Sequence, residues 1–186
     1  GDYVECVHIE DFTRDIVISA NKFHDVKKAV VVYQNNSQTV SITDNIMFGR
    51  LGYSADADPT TFAEPQATGV AYYGIEIANP GVSSSSTAVK ASGNTIRGFD
   101  YGIMVSVDRG GEFTDNTITA CAVGMRRASG GTLPFMNAHG NKFYRCKYGF
   151  TVATQASIGR NTFEDCGDIV KNDAGRVVFF PEGFVV

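Results

Sequence analysis

Carboxylates in two neighbouring stretches are the residues of this chain best suited to chemistry. Glu76 lies in the short alternating segment 74–77, and Asp56 and Asp58 precede it in a stretch rich in polar and turn-forming residues. Hydrolysis of a glycosidic bond needs two carboxyl groups, either about 5 Å or about 6.5–9.5 Å apart. We therefore take Glu76, together with Asp56 or Asp58, as the candidate catalytic residues.

Other side chains have the chemistry of a sugar-binding surface. A histidine can exchange a proton near neutral pH, an arginine can hold a carboxylate, and tyrosines can stack on sugar rings. The candidate substrate-binding residues are His8, Tyr33, Tyr72, Tyr73 and Arg126. The ordinary alternative for each is a solvated surface charge, or a tyrosine that packs a loop onto the domain.

Composition limits the classes of protein that could carry such a site. The chain has 186 residues, 16 Lys and Arg against 20 Asp and Glu, a formal net charge of −4, and 43% hydrophobic residues. It has 20 Gly and no Trp, which points away from a helical bundle. We expect no nucleic-acid partner, because no basic block is present. We also expect no membrane span and find no signal peptide in the chain.

The elements that must position these residues are repeats, because Asn followed two positions later by a large apolar residue recurs six times. The gaps between successive Asn residues are 24, 49, 22, 25 and 20. The six Asn are Asn21, Asn45, Asn94, Asn116, Asn141 and Asn161, and the apolar residues are Phe23, Met47, Ile96, Ile118, Phe143 and Phe163. A period of this length without helical periodicity indicates a solenoid of short strands.

Further positions keep a constant distance from each Asn. A small residue often comes eight positions later, and apolar residues come nine and eleven positions later, which is the alternation of a strand. The outward column between those apolar positions is His8, Val31, Glu76, Met104, Arg126, Thr151 and Lys171. Stacked turns about 4.8 Å apart would pile up the apolar residues and let Asn amides bond along a ladder. Asn also tolerates the left-handed backbone conformation that a sharp turn between strands needs, so we expect the repeated Asn residues to adopt it.

The Asn-x-[Ile/Phe] and Gly-[Ile/Met/Phe]-x-Val pattern from Asn21 to Val170 resembles right-handed parallel β-helices of the pectate-lyase-like superfamily. That superfamily includes polysaccharide lyases, glycoside hydrolases and phage tailspikes. The resemblance implies an all-β, right-handed parallel β-helix of about seven rungs, with no substantial helix. It also implies an Asn ladder between the second and third strands of each rung, and a carbohydrate groove along the first sheet. Lyases of this fold use cations, often with calcium, so calcium becomes a candidate cofactor beside no cofactor at all.

The residues 49–73 form an insertion in the long gap between Asn45 and Asn94. Gln66 could instead take the Asn position of an extra rung, but that rung would point Asp56 into the core without a partner, which is costly. We therefore favour one long loop, which leads into the first sheet and forms one wall of the groove. Residues 1–186, including this insertion, are expected to form a single parallel β-helix domain, which could be part of a longer chain.

The cysteines predict structure more than chemistry. Cys121, Cys146 and Cys166 each lie five residues after an Asn, so they form one column of successive turns. Such a column is typical of buried thiols that act as small apolar side chains. Parallel side chains suit a disulfide poorly, and no C-x-x-C spacing suggests zinc. Cys6 has no assigned partner.

These observations favour a domain that acts on, or grips, an acidic polysaccharide, as lyases, hydrolases and tailspike depolymerases do. The alternative is a non-catalytic adhesin or structural shaft. We expect an extracellular, cell-surface or virion location. A homotrimer or further domains would cover the exposed ends of the coil.

Overall fold

A computed structural model describes residues 5–10, 15–33, 39–51, 53–54, 56–67, 70–78, 88–105, 111–128, 136–153, 156–172 and 178–179. The described strands form three parallel sheets, in which each strand pairs with the strand three places further along the chain. The chain therefore coils, and every turn contributes one strand to each sheet. No helix of the described part is long and apolar enough to cross a membrane.

The strands alternate between the sheets in chain order. The first sheet contains β1 (Glu5–Ile9), β4 (Lys28–Tyr33), β7 (Tyr73–Ala78), β10 (Tyr101–Val105), β13 (Val123–Arg127), β16 (Tyr148–Val152) and β19 (Asp168–Asn172). The second contains β2 (Ile16–Ser19), β5 (Thr39–Thr43), β8 (Ala88–Ser92), β11 (Gly111–Thr114), β14 (Met136–His139), β17 (Ala156–Gly159) and β20 (Val178–Phe179). The third contains β3 (Lys22–Val26), β6 (Ile46–Gly49), β9 (Thr95–Arg97), β12 (Thr117–Thr119), β15 (Lys142–Tyr144) and β18 (Thr162–Glu164).

This architecture confirms the predicted fold class, an all-β parallel β-helix. The described strands complete six turns of three strands and add two strands of another, slightly fewer than the expected count of about seven. The predicted core column is also confirmed, because the third sheet pairs Phe23, Met47, Ile96, Ile118, Phe143 and Phe163 in consecutive register. The rings of Phe143 and Phe163 stack with centroids 5.0 Å apart.

The Asn ladder lies between the second and third sheets, where the resemblance places it. Asn45 Oδ1 accepts two hydrogen bonds from Asn21, one from its backbone N at 3.0 Å and one from its side-chain Nδ2 at 3.1 Å. Asn45 Nδ2 in turn donates to the carbonyl of Ile18 at 2.9 Å. The same pattern continues to Asn161, so these buried amides are satisfied by the neighbouring turn.

The expectation that Asn itself adopts the left-handed backbone was wrong. The described residues with positive φ, between 48° and 76°, fall in two other columns: the residue just before each Asn and the residue four positions after it. The ladder explains the difference. Asn is held by its amide bonds to the adjacent turns, and the preceding residue, such as Asp44 or Asp115, makes the bend.

The insertion between β6 and β7 contains one 3₁₀ helix, Pro59–Thr61, and no strand in its described part. It runs along the corner between the third and first sheets. Its far part reaches Lys147, whose Nζ donates to the Phe62 carbonyl at 2.8 Å. Its return part is bound by Asp100, which accepts from the backbone N of Tyr72 at 2.9 Å and of Gln66 at 3.3 Å.

Candidate functional site

The outward face of the first sheet has the predicted register but is not an open groove. Strand pairing places His8, Val31, Glu76, Met104, Arg126, Thr151 and Lys171 side by side, as the repeat predicts. In the middle of this column, however, Val31 is 2% exposed, Met104 1% and Thr151 3%. A saccharide could not reach these side chains without moving what covers them.

Three tyrosines at the start of the first-sheet strands help to close this face. Tyr73, Tyr101 and Tyr148 pack with Met104 and Val123 into a second apolar cluster outside the coil. Tyr73 is fully buried, so it offers no ring face to a sugar. Tyr72 is half-buried beneath the Lys27 ammonium group, 5.5 Å from its ring centre.

Glu76 lies in a network of paired charges. Lys28 Nζ contacts Glu76 Oε2 at 2.9 Å and Glu5 Oε1 at 3.1 Å, and it lies 5.4 Å from the centre of the Tyr73 ring. Burial alone would lower the pKa of Lys28, but the hydrogen bonds to Glu76 and Glu5 outweigh it and raise the pKa. Burial would raise the pKa of Glu5, but its hydrogen bonds with His8 and Lys28 lower it. The pKa shifts of Lys28 and Glu5 therefore favour the charged form of each.

Two of the predicted substrate-binding residues extend this network. His8 Nδ1 lies 2.5 Å from Glu5 Oε2, and His8 Nε2 lies 3.5 Å from Glu10 Oε2. The Tyr33 ring is 5.8 Å from the His8 ring. The structure thus brings Glu76, His8 and Tyr33 into one network with Glu5 and Lys28. Sequence reasoning did not single out the last two. Lys28 could have been found, because it occupies the position before the small residue of each turn.

Arg126 binds a tyrosine of its own sheet. Its Nη1 donates to the Tyr101 hydroxyl at 3.1 Å, and its guanidinium lies 5.5 Å from the centre of that ring. The Arg126 Nε is buried and has no hydrogen-bond partner among the described residues. The side chain therefore packs against the outside of the coil.

The loop aspartates bind elsewhere. Asp56 is almost fully exposed and lies 3.7 Å from Arg145. Asp58 caps the 3₁₀ helix by accepting from the backbone N of Thr60 at 2.9 Å and from its hydroxyl at 2.7 Å, and these bonds lower the pKa of Asp58. The contacts of Glu76 lie at Lys28, so the structure does not join the three proposed catalytic carboxylates in one cluster.

Glu64 fastens the insertion to the coil. Its Oε1 lies 2.7 Å from Lys147 Nζ and accepts from the Tyr148 hydroxyl at 2.8 Å, and its Oε2 lies 3.9 Å from Lys171 Nζ. The hydrogen bonds from Lys147 and Tyr148 lower the pKa of Glu64. The Glu64 carboxylate therefore holds the insertion against the coil, and we call these contacts the Glu64 clasp. No role was predicted for Glu64 from the sequence.

An open cavity of 370 Å³ lies where the insertion leaves the third sheet. We call it the Arg97 pocket; it is lined by Phe48, Gly49, Leu51, Tyr53, Ser54, Arg97 and Gly98. Strand pairing sets Phe48 of β6 beside Arg97 of β9. The Tyr53 ring stacks on Phe62 with centroids 4.4 Å apart, which holds that wall in place.

The pocket depends on glycine at its floor. Gly98 has φ +76°, and a β-carbon there would lie 2.8 Å from the Leu51 carbonyl oxygen. A β-carbon on Gly49 would lie 2.2 Å from the Gly98 carbonyl oxygen. Because larger residues would close this approach, the two glycines allow the insertion to depart over the sheet and leave a cavity beneath it.

The Arg97 guanidinium has no hydrogen-bond or ion-pair partner among the described residues, although Arg97 is half-buried. Burial, with the nearby negative charge of Asp100, raises the pKa of Tyr53 to about 12. The Tyr53 hydroxyl is therefore a neutral donor at physiological pH. A guanidinium in a pocket that aromatic side chains also line can hold a planar anion such as a carboxylate. The sequence analysis placed no function at Arg97.

The thiol column is packed into the core. Cys121 and Cys146 are fully buried, Cys166 is partly buried, and all four cysteines are free thiols. Burial raises the pKa of Cys146 well above its ordinary value. Its thiol lies 3.7 Å from the Ile118 carbonyl oxygen. A buried, protonated thiol such as that of Cys146 acts as a small apolar side chain.

Comparison with known proteins found a match to one family. The family model described as "Periplasmic copper-binding protein (NosD)" matches residues 7–180, nearly the whole chain. No curated protein and no solved structure matches the chain. The match spans all three sheets of the parallel β-helix, and the chain therefore belongs to the NosD family.

Proposed function

We propose that this β-helix binds an acidic polysaccharide, outside the cytoplasm, without cleaving it. The Arg97 pocket carries the proposal: a guanidinium without a partner in the described part of the chain lines an open cavity together with Phe48 and Tyr53. Guanidinium groups bind carboxylates through two parallel hydrogen bonds, and aromatic rings pack on the apolar faces of sugars. Local positive charge decides such binding even though the chain carries a net charge of −4.

The pairing of charges on the first sheet also favours binding over cleavage. Hydrolysis needs one carboxyl group that stays protonated to act as the acid. Glu5 and Glu76 both contact the Lys28 ammonium group, and hydrogen bonding lowers the pKa of Glu5, which works against that role.

Copper binding is named in the description of the family, but the described residues do not fit a copper site. None of them forms a group of three or more histidine, cysteine or acidic side chains arranged for a metal ion. The thiol column is a linear stack with its middle member buried and protonated. We therefore assign no step to copper, and none to calcium.

A second candidate function is cleavage of the polysaccharide at Glu76. The observation in its favour is that Glu5 and Glu76 both contact Lys28, and that His8 contacts Glu5. In that case His8 would take a proton from the sugar, or the two glutamates would serve hydrolysis. Release of reducing ends, or of an unsaturated uronate, from polygalacturonate tests this candidate directly. It is supported only if wild type releases product and Glu76→Gln does not.

Binding to a panel of immobilised polysaccharides tests the main proposal. We expect wild type to bind at least one of polygalacturonate, alginate and hyaluronan, and not neutral dextran. Arg97→Gln should weaken that binding about tenfold or more, because a paired charge-assisted contact is lost. Lys90→Gln is the matched control, since Lys90 is exposed on the second sheet and paired with Glu112 at 3.1 Å. Equal binding by wild type and Arg97→Gln would overturn the proposal.

A further inference from the structure

The outward face of the third sheet differs from the rest of the coil in its unpaired cations. We call it the third-sheet face, and it consists of the outward residues of β3, β6, β9, β12, β15 and β18. One column is Lys22, Ile46, Thr95, Thr117, Lys142 and Thr162, and the other includes Phe48, Arg97, Thr119, Tyr144 and Glu164. The residues between them, such as Ile96 and Ile118, point into the core and are fully buried.

Cations occur on every second turn of this face. Lys22 lies on the first turn, Arg97 on the third and Lys142 on the fifth, as the strand register shows. The turns between them carry the Ile46–Phe48 strand segment and Thr117 with Thr119. Two turns of stacked strands span about 9.6 Å, so the cations follow one another at that interval along the coil axis. Arg97 belongs to the column of Phe48 and Tyr144, so it lies two residues further along its strand than Lys22 and Lys142 do along theirs.

None of these three cations has a described hydrogen bond or ion pair, and Lys22 and Lys142 are exposed. Cations on the first sheet behave differently, since Lys28 and Lys171 both contact glutamates. Carboxylates occur only in the first and last strands of this sheet: Asp25 of β3 pairs with Arg50 at 3.3 Å, and Glu164 lies on β18. Among the described residues, the face therefore offers cations at a regular interval to which neighbouring turns supply no ion-pair partner.

We propose that the third-sheet face is the track on which the polysaccharide lies, and that its ligand carries one carboxylate per disaccharide. This rests on the proposed function, and it deepens that function by naming the class of ligand. An interval of about two turns matches the length of a disaccharide unit in an extended polysaccharide. A carboxylate at Arg97 then places the next one at Lys142, with the uncharged sugar over the threonines of β12.

The two-turn spacing of the cations also determines which polysaccharides fit the third-sheet face. A carboxylate on the intervening sugar would lie opposite Thr117 and Thr119, or on the other side opposite Ile46 and Phe48, where no cation is present on this face. Alternating polymers therefore match the third-sheet face better than polymers that carry a charge on every sugar.

Hyaluronan oligosaccharides test this inference, because they carry one carboxylate on every second sugar. We expect the tetrasaccharide, with two carboxylates, to bind wild type about threefold to tenfold more tightly than the disaccharide, as one added surface ion pair allows. Lys142→Gln should abolish that gain, so that this variant binds the tetrasaccharide and the disaccharide with about equal affinity. Arg97→Gln should weaken both ligands, and Lys90→Gln should weaken neither.

The outcomes separate the two proposals. If the tetrasaccharide keeps its advantage in Lys142→Gln while Arg97→Gln binds both ligands more weakly, the track is wrong and the proposed function stands. If neither oligosaccharide binds wild type, the track is wrong, and polygalacturonate and alginate then decide the proposed function. If Arg97→Gln binds as well as wild type, the proposed function fails as well. Circular dichroism of each variant excludes loss of fold, and all four proteins should give the same spectrum.

Discussion

The first and third sheets are built from the same repeat, yet their outward faces are chemically opposite. On the first sheet, Lys28 is held between Glu5 and Glu76, and Arg126 binds Tyr101. On the third sheet, the equivalent long side chains of Arg97 and Lys142 meet no partner in the described part of the chain. In a solenoid, an outward charge stabilises the fold where a neighbouring turn supplies a partner for it. Where no neighbouring turn does so, the charge is available to a ligand.

The largest expected effect is loss of stability on the first-sheet face. Lys28→Met leaves Glu5 and Glu76 close together without their shared cation, and both carboxylates are mostly buried. We expect the free energy of unfolding to fall by about 2–3 kcal/mol, somewhat below the cost of breaking a fully buried pair. Urea denaturation measures it. Lys142→Met is the control and should stay within about 0.5 kcal/mol of wild type; equal losses in both variants would remove the distinction between the faces.

A substitution at the floor of the Arg97 pocket should have the next largest effect. Gly98→Ala places a side chain at φ +76° and against the Leu51 carbonyl oxygen, so we expect a loss of about 1–2 kcal/mol and weaker polysaccharide binding. Ala20→Gly is the control, and we expect it to change stability in the opposite direction to Gly98→Ala. Ala20 is exposed at φ 56°, and relief of its backbone should stabilise the protein by up to about 1 kcal/mol. Thermal unfolding that moves in the same direction in both variants would contradict this account.

A matched pair of arginine substitutions compares the two faces directly. Arg126→Gln removes a hydrogen bond and a cation–π contact, so it should cost about 1 kcal/mol of stability and leave ligand binding intact. Arg97→Gln should do the reverse, with stability within about 0.5 kcal/mol and binding reduced. Denaturation and binding measured on the same two samples check both halves. Reduced binding in Arg126→Gln alone would move the ligand to the first sheet.

The smallest effect concerns the clasp at Glu64 and depends on pH. Lys147 and Tyr148 lower the pKa of Glu64 in the folded state, so its contribution is present above its ordinary pKa of 4.5 and is lost as the pH falls through the folded value. Because Glu64 is largely exposed, that contribution should be below about 0.5 kcal/mol. Stability curves of wild type and Glu64→Gln should therefore differ slightly at neutral pH and converge in acid. A difference that grows in acid would contradict the clasp.

The periodic features of the fold could be predicted from the sequence because equivalent residues keep constant offsets from each Asn. That logic gave the Phe23 column, the Asn ladder and the outward column containing Glu76. The repeat did not predict correctly which residue adopts the left-handed backbone conformation. It shows that a turn occurs near each Asn, but not whether the Asn or the residue before it has the positive φ. Asn161 and its equivalents are held by amide bonds, and Arg160 and its equivalents bend instead.

The candidate site was harder to predict because it depends on groups from different turns and on a non-repeating loop. Lys28 lies on β4, between β1 with Glu5 and β7 with Glu76, so its side chain contacts residues of both neighbouring turns. The Arg97 pocket exists because the insertion passes over Gly49 and Gly98, a path that no periodic signal encodes. Arg97 itself occupied an outward position that the sequence could not distinguish from an ordinary surface residue.

Mapping of a bound hyaluronan hexasaccharide by backbone amide chemical shifts tests the central contrast most directly. The account predicts that the largest shifts fall in Thr95–Arg97 and Thr117–Thr119 of the third sheet, extend to Lys142–Tyr144, and spare Tyr73–Ala78 of the first sheet. Shifts concentrated in Tyr73–Ala78 and Lys28–Tyr33 would contradict it and return the ligand to the first-sheet face.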